Sequence, residues 1–87
     1  MMARRTSEYY DEVANNKNDS RFDKRNFILT RSTFTSSGQY ASHWLGDNYR
    51  EYRFMNYSIS GTMNMNMFGI PHVGADIGGF FGNATNP

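Results

Sequence analysis

Tyr40-Ala-Ser-His-Trp-Leu-Gly-Asp-Asn48 is a nearly uncharged run that ends in a single carboxylate, Asp47. Its first six residues predict a strand over residues 40–45, although Ser42 and His43 interrupt the apolar character. In barrels and open sheets of the α/β class, the loops at the carboxyl ends of the strands converge on one crevice and carry the site. Asp47 is therefore the first candidate for chemistry in this sequence.

Two other apolar runs also close on a charged residue, Asn26-Phe-Ile-Leu-Thr-Arg31 and Gly69-Ile-Pro-His-Val-Gly-Ala-Asp76. The first run predicts a buried strand over residues 27–30, because continuous apolar residues suit a parallel sheet that is covered on both faces. The second run predicts another strand over residues 70–75. Arg31 and Asp76 would then lie at the same edge of the sheet as Asp47.

Apolar side chains recur at helical spacing in two further segments. The first predicts a helix over residues 1–14. No Ser, Thr, Asp or Asn precedes it to cap its first N–H groups, so we expect its true start to lie upstream of this sequence. The second predicts a helix that ends at about residue 68, with Asn48 and Glu51 as a capping pair and Gly69 as its C-terminal cap.

The predicted order of elements is helix, strand, strand, helix, strand. The last three form a βαβ unit, which implies a parallel sheet with a right-handed crossover. The alternation in residues 63–67 imitates a strand, but the helical pattern begins earlier and lasts longer, so we assign these residues to the helix. A complete (β/α)8 barrel needs about 250 residues. The predicted fold is therefore α/β, a partial TIM barrel of three parallel strands with connecting helices.

The composition limits the classes of function. Most of the nine basic and eight acidic side chains lie in residues 1–25, which we expect to form the first helix and an exposed loop. The formal net charge of +1 without a clustered basic patch gives no reason to expect a nucleic-acid partner. No apolar run reaches the length of about 18 residues that would predict a membrane segment. The absence of cysteine excludes a disulfide framework or a cysteine-based zinc site within these residues.

Three blocks of the sequence resemble successive blocks of the α-glucosidases of glycoside hydrolase family 31, in that family's order and spacing. They are Phe27-Ile-Leu-Thr-Arg-Ser-Thr-Phe34, His43-Trp-Leu-Gly-Asp-Asn48 and Phe68-Gly-Ile-Pro-His-Val-Gly-Ala-Asp-Ile-Gly-Gly-Phe80. The resemblance covers residues 26–82, and residues 1–25 form the helix and loop that lead into it. It implies that residues 1–87 are a fragment of a catalytic barrel domain, whose fifth to seventh strands they match, and that the remainder of the barrel is required.

The resemblance implies a role for six residues. Asp47 matches the general acid/base of a retaining glycosidase, in which one carboxyl group protonates the leaving oxygen and later deprotonates water. A second carboxylate about 5–5.5 Å away acts as the nucleophile in such enzymes. The family's nucleophile block is absent from this chain, and we expect it upstream. The pocket for the terminal glucose is matched by Arg31, Trp44, Asp76 and Phe80, while His43 is expected to support that pocket from behind by hydrogen bonding.

The residues by themselves leave other roles open. Asp47 also suits the cap of the helix that follows it. Arg31 and Asp76 also suit a structural ion pair, and a lone aromatic side chain such as Trp44 or Phe80 belongs to a core more often than to a sugar site.

The predicted function of the parent protein is hydrolysis of terminal α-linked glucose from oligosaccharides by a retaining double displacement, with no metal and no cofactor. The alternatives within the family are another α-glycosidase, such as an α-xylosidase, or a lyase or transferase. Outside the family, the alternative is a noncatalytic carbohydrate-binding module that stacks a sugar on Trp44 and Phe80. The residues do not define the compartment, and the resemblance suggests the lysosome, the endoplasmic reticulum lumen or secretion for a eukaryotic parent.

Overall fold

The computed structural model describes residues 2–83. Met1, the first residue of the predicted N-terminal helix, and residues 84–87 lie outside that range. The predicted order of elements is confirmed, with one short 3-10 helix added before the second strand. The bounds are α1 Met2–Asn15, β1 Leu29–Thr30, the 3-10 helix Ser37–Gln39, β2 Ser42–Trp44, α2 Tyr52–Met67 and β3 Val73–Gly74. No helix within residues 2–83 has both the length and the apolar character needed to cross a membrane.

The polar loop after α1 folds back on the end of that helix. The backbone N–H of Asp23 donates to the carbonyl of Ala14 at 3.0 Å, and Asn26 Nδ2 donates to Asp11 Oδ1 at 3.3 Å. Inside the loop, hydrogen bonds from the Arg21 guanidinium and backbone lower the pKa of the Asp19 carboxyl to about 2. The loop is therefore an exposed connector with local polar contacts, as its composition predicted.

The three strands form one parallel sheet in the order β1-β2-β3, which confirms the predicted arrangement. The Cα partners are Leu29 with Ser42, Thr30 with His43, His43 with Val73 and Trp44 with Gly74. Because all three strands run in one direction, their carboxyl ends meet at one edge of the sheet.

Each strand is shorter than the sequence predicted. Within the described residues, β1 and β3 each have a neighbouring strand on one side only, so fewer backbone groups form a ladder. Single hydrogen bonds continue past the strand bounds, from the Ser42 N–H to the Ile28 carbonyl at 2.8 Å and from the Leu45 N–H to the Gly74 carbonyl at 3.0 Å.

The strand predicted over residues 27–30 is present at Leu29–Thr30, but its predicted burial is wrong for this chain. Phe27 is 77% exposed and Leu29 is 52% exposed. The described residues place no element over these side chains, and a strand in a parallel sheet is buried only when helices cover both faces. Among the described residues, Val13 and Ile70 are the buried apolar side chains.

The start of α2 differs from the prediction, because Asn48 and Glu51 do not form a capping pair. Glu51 occupies the N-cap position without a side-chain cap bond. Asn48 instead lies in the preceding loop, where its carbonyl accepts the N–H groups of Phe80 at 2.8 Å and Phe81 at 3.0 Å. Asp47 lies further from the helix still, so the interpretation of Asp47 as a helix cap is also excluded.

The end of α2 confirms the prediction, including the assignment of residues 63–67 to the helix. Gly69 has a φ of 83°, a left-handed conformation that glycine adopts without steric cost. Its N–H donates to the carbonyl of Asn66 at 3.1 Å, and the Ile70 N–H donates to the carbonyl of Met65 at 3.0 Å. These two bonds form a Schellman motif, which ends the helix and directs the chain into β3.

α2 packs on one face of the sheet and thereby determines which side chains of β2 face away from it. A Cβ built on Gly61 of α2 would lie 3.2 Å from Leu45 Cδ1, so the Leu45 side chain faces the helix. Side chains alternate along a strand. His43 therefore shares the helix side with Leu45, and Trp44 lies on the opposite face.

Candidate active site

The predicted site residues lie at or just beyond the carboxyl ends of the three strands. Arg31 follows β1, Trp44 ends β2 and Asp47 comes three residues later, while Asp76 and Phe80 lie in the loop after β3. The parallel topology brings these positions to one edge, although they are up to 49 residues apart in the sequence. The edge therefore combines carboxylates, a guanidinium and aromatic rings.

Arg31 and Asp47 face each other across the ends of β1 and β2. Arg31 Nη1 lies 4.0 Å from Asp47 Oδ2, and the two side chains are 62% and 27% exposed. An exposed ion pair of this length contributes at most about 1 kcal/mol to stability. The pair therefore contributes little to the stability of the fold, and both groups remain accessible to a ligand.

Trp44 connects the guanidinium to the second carboxylate of this edge. Its indole Nε1–H donates to Asp76 Oδ1 at 2.9 Å, and Arg31 Cζ lies 5.4 Å from the centroid of its ring. That distance is within the range of a cation–π interaction. Arg31 and Asp76 thus bind different partners, so the structure does not form the ion pair that the residues alone left open.

The second oxygen of Asp76 is a buried acceptor that has no hydrogen-bond partner among residues 2–83. The side-chain oxygen of Asn48 is likewise buried and has no hydrogen-bond partner among these residues. A buried acceptor without a partner costs about 1–3 kcal/mol relative to a satisfied one. Asp76 can therefore gain from a hydroxyl or amide donor that reaches this edge.

Backbone hydrogen bonds join the loop that carries Phe80 to the loop that follows Asp47. The Phe80 N–H donates to the carbonyl of Asn48, the residue after Asp47, at 2.8 Å, and the Arg50 N–H donates to the carbonyl of Phe81 at 2.9 Å. The Phe80 ring packs edge-to-face on the Phe81 ring with centroids 4.7 Å apart, yet Phe80 stays 52% exposed. Phe80 is therefore an exposed aromatic side chain and not a core residue in this chain.

His43 lies behind the site, on the helix side of β2. It is 5% exposed, and its Nδ1 has no hydrogen-bond partner in the described part of the chain. Its backbone N–H donates to the carbonyl of His72 at 2.9 Å, which joins β2 to β3. The supporting role of its side chain stays a prediction.

A cavity of about 460 Å³ lies between α2, together with the loop that precedes it, and the loop after β3. Asp76 lines it, but Arg31, Trp44, Asp47 and Phe80 do not. Since the cavity borders α2 and Trp44 faces away from α2, we place the candidate site at the open edge around Trp44. Within residues 2–83, no group of three His, Cys, Asp or Glu side chains is arranged to hold a metal ion.

Sequence reasoning assigned no individual role to Gly46, the residue before Asp47. Its φ is 89°, and the residue is buried against the Arg31 side chain. The sequence signal for such a role was the presence of a glycine next to a candidate catalytic residue. Its positive φ and its contact with Arg31 cannot be inferred from the identity of one residue.

Parallel strands whose carboxyl ends present carboxylates, a guanidinium and aromatic rings are typical of the enzymes of the α/β class, barrels among them. The chain belongs to a particular family of such enzymes, because the model of the glycosyl hydrolases family 31 TIM-barrel domain matches residues 1–87. The predicted family and the partial TIM barrel are therefore confirmed.

Individual relatives agree with this assignment. The chain is 59% identical over 59 residues to an uncharacterised family 31 glucosidase of Schizosaccharomyces pombe, a match that covers 68% of this chain and 6% of the relative. It is 56% identical over 63 residues to human intestinal sucrase-isomaltase, covering 72% and 3%. It is 53% identical over 62 residues to alpha-xylosidase 1 of Arabidopsis thaliana, covering 71% and 7%. The chain thus spans a small part of the length of these relatives.

Proposed function

We propose that the protein to which this chain belongs hydrolyses terminal α-linked glucose from oligosaccharides with retention of configuration, and that Asp47 is its general acid/base. The observation that carries the proposal is the position of Asp47. It follows the carboxyl end of β2, is partly exposed, and lies 4.0 Å from the guanidinium of Arg31. A carboxyl group in this position is accessible to a glycosidic oxygen, and the neighbouring cation can bind the hydroxyls of the same sugar.

In the first step, the protonated Asp47 carboxyl donates its proton to the glycosidic oxygen while the bond from that oxygen to C1 breaks. A nucleophilic carboxylate outside this sequence forms a bond to C1 and gives a glycosyl-enzyme ester. In the second step, the Asp47 carboxylate takes a proton from water as the water oxygen attacks C1. The ester bond breaks, the nucleophile leaves as a carboxylate, and two inversions at C1 restore the α configuration.

The remaining residues of the edge bind the sugar ring in this proposal. Arg31 donates hydrogen bonds to hydroxyl oxygens, and Asp76 Oδ2, which has no partner among the described residues, accepts a hydroxyl hydrogen. Trp44 and Phe80 offer ring faces that suit the C–H groups of a pyranose. Trp44 keeps its orientation because its Nε1–H is already donated to Asp76 Oδ1.

An α-xylosidase activity is the second candidate, supported by the 53% identity to alpha-xylosidase 1 of Arabidopsis thaliana. Xylose lacks the C6 hydroxymethyl group of glucose, so the two substrates differ at a position that Asp47 does not touch. The choice between them concerns binding of that group and leaves the role of Asp47 unchanged.

Kinetics of the full-length protein on matched aryl α-glucoside and aryl α-xyloside substrates test the proposal. We expect kcat/KM on the glucoside to exceed that on the xyloside by about tenfold or more, because a site that binds a hydroxyl discriminates against substrates that lack it. NMR of the first product should show the α anomer. A higher kcat/KM on the xyloside would favour the second candidate, and a first-formed β anomer would exclude the retaining mechanism.

Arg31→Ala should lower kcat/KM on maltose by about 10- to 150-fold, the equivalent of one charge-assisted hydrogen bond of about 1.5–3 kcal/mol. Arg53→Ala is the matched control, because Arg53 is similarly exposed and pairs with Glu51 at 2.6 Å at the start of α2. The control should keep its kinetics. Unchanged kinetics for Arg31→Ala together with a lowered melting temperature would show that Arg31 is structural.

A further inference from the structure

Gly46 contacts the Arg31 guanidinium at close range. A Cβ built on Gly46 would lie 2.7 Å from Arg31 Nε, 2.9 Å from Nη2 and 3.0 Å from Cζ. Real Cβ atoms essentially never approach other heavy atoms to less than 3.0 Å, so the first two distances are collisions. Three atoms of the planar group are near the same point, so the guanidinium occupies the space that any other side chain at position 46 would need.

Two other residues of the same segment, Trp44 and Asp47, also lie near the guanidinium. The Trp44 ring lies 5.4 Å from Arg31 Cζ, and Asp47 Oδ2 lies 4.0 Å from Arg31 Nη1. The Arg31 side chain is 62% exposed. Because it is long and flexible, it would adopt many rotamers without further contacts. The contacts with Trp44, Gly46 and Asp47 reduce that freedom at the position where the guanidinium is used.

We propose that Gly46 is a positioning residue for catalysis, which allows the Arg31 guanidinium to lie between Trp44 and Asp47. This inference rests on the proposed function, since it concerns the sugar-binding group of that same site. A methyl group at position 46 displaces Arg31 and not the backbone, because the atoms it meets are at the end of a flexible side chain. The protein can then fold with Arg31 displaced from Asp47.

Gly69 provides a control for backbone strain. Its φ of 83° is close to the 89° of Gly46, but a Cβ built on it has nothing within 4 Å. Gly46→Ala and Gly69→Ala therefore carry similar backbone strain, because both positions have a left-handed φ. Of the two, only Gly46→Ala also makes the new methyl group collide with the Arg31 side chain. Gly69 lies at the end of α2 and outside the proposed site.

The test measures kcat/KM on maltose for the full-length wild-type enzyme and its Gly46→Ala, Gly69→Ala, Arg31→Ala and Arg31→Ala/Gly46→Ala variants. We expect Gly46→Ala to lower kcat/KM by about tenfold or more, as Arg31→Ala does, and Gly69→Ala to change it by less than about threefold. The double variant should resemble Arg31→Ala, because two changes that remove the same interaction are not additive. The melting temperatures of the two glycine variants should fall by similar amounts.

Equal loss of kcat/KM in both glycine variants, or full additivity in the double variant, would overturn the inference. If Gly46→Ala alone does not fold, removal of the guanidinium clears the collision and the double variant should fold like Gly69→Ala. A double variant that still fails to fold also overturns it. A wild-type enzyme inactive on α-glucosides would instead refute the proposed function, which separates the two failures.

Discussion

Asp47→Asn in the full-length enzyme is expected to slow the hydrolysis of maltose by about 10² or more, because general acid/base catalysis typically contributes about 10²–10⁴. Asparagine has nearly the same shape as aspartate but has no acidic proton to donate. Glu51→Gln is the matched control, since Glu51 lies in the same loop and pairs with Arg53 at 2.6 Å. The control should keep wild-type kinetics on both maltose and an aryl α-glucoside.

The effect of Asp47→Asn should depend on the leaving group. An aryl glucoside with a good leaving group needs little protonation, so the first step of its hydrolysis should be spared. The second step still lacks a base to deprotonate water, and glycosyl-enzyme should therefore accumulate. Added azide, a nucleophile that needs no deprotonation, should increase turnover and give a glycosyl azide. Equal losses on both substrates, without rescue by azide, would exclude Asp47 from the acid/base role.

The 87-residue chain expressed alone is expected to show no α-glucosidase activity and no sharp unfolding transition. A retaining mechanism needs a second catalytic carboxylate, which the proposed function places outside this sequence. The chain exposes 7087 Å², compared with about 5,200 Å² for a compact protein of its mass. Its radius of gyration is 16.2 Å, compared with about 12 Å for a compact domain of its length.

We expect the burial within the chain to be too small to support cooperative folding. Val13 and Ile70 are the buried apolar side chains among residues 2–83, and no described side chain is fully buried. Ordering the backbone costs about 1–2 kcal/mol per residue, which burial on this scale does not offset. The edges of β1 and β3, which no other described strand pairs, also offer backbone groups for aggregation.

The measurements are an assay of the purified chain on maltose and an aryl α-glucoside, with thermal unfolding followed by circular dichroism. A chain carrying Asp47→Asn is the control for contaminating activity. Turnover well above that control, or a sharp transition at low concentration, would contradict the prediction. Saturable binding of maltose by the chain alone would support the noncatalytic carbohydrate-binding module instead.

The helices and the order of elements could be predicted from the sequence, because their signals are local. Apolar spacing and Gly69 predicted the end of α2, and the helix ends at Met67. The capping pair of Asn48 and Glu51 was wrong because Glu51 itself occupies the N-cap position and Asn48 lies three residues before it, in a loop held by Phe80 and Phe81, more than thirty positions away. The predicted burial of residues 27–30 was wrong because burial depends on covering elements that a local apolar run does not specify.

For the site, the sequence by itself determined which residues lie at the carboxyl ends of the strands, since parallel strands bring those ends together whatever their side chains do. Only the tertiary structure decided which of these residues contact one another. The register that sets Trp44 opposite Gly74 brings the indole N–H to Asp76 and leaves Arg31 to pair with Asp47. The contact of Arg31 with Gly46 likewise depends on a left-handed φ and on the packing of two strands. Such contacts join residues distant in sequence through backbone geometry, which residue type and spacing do not encode.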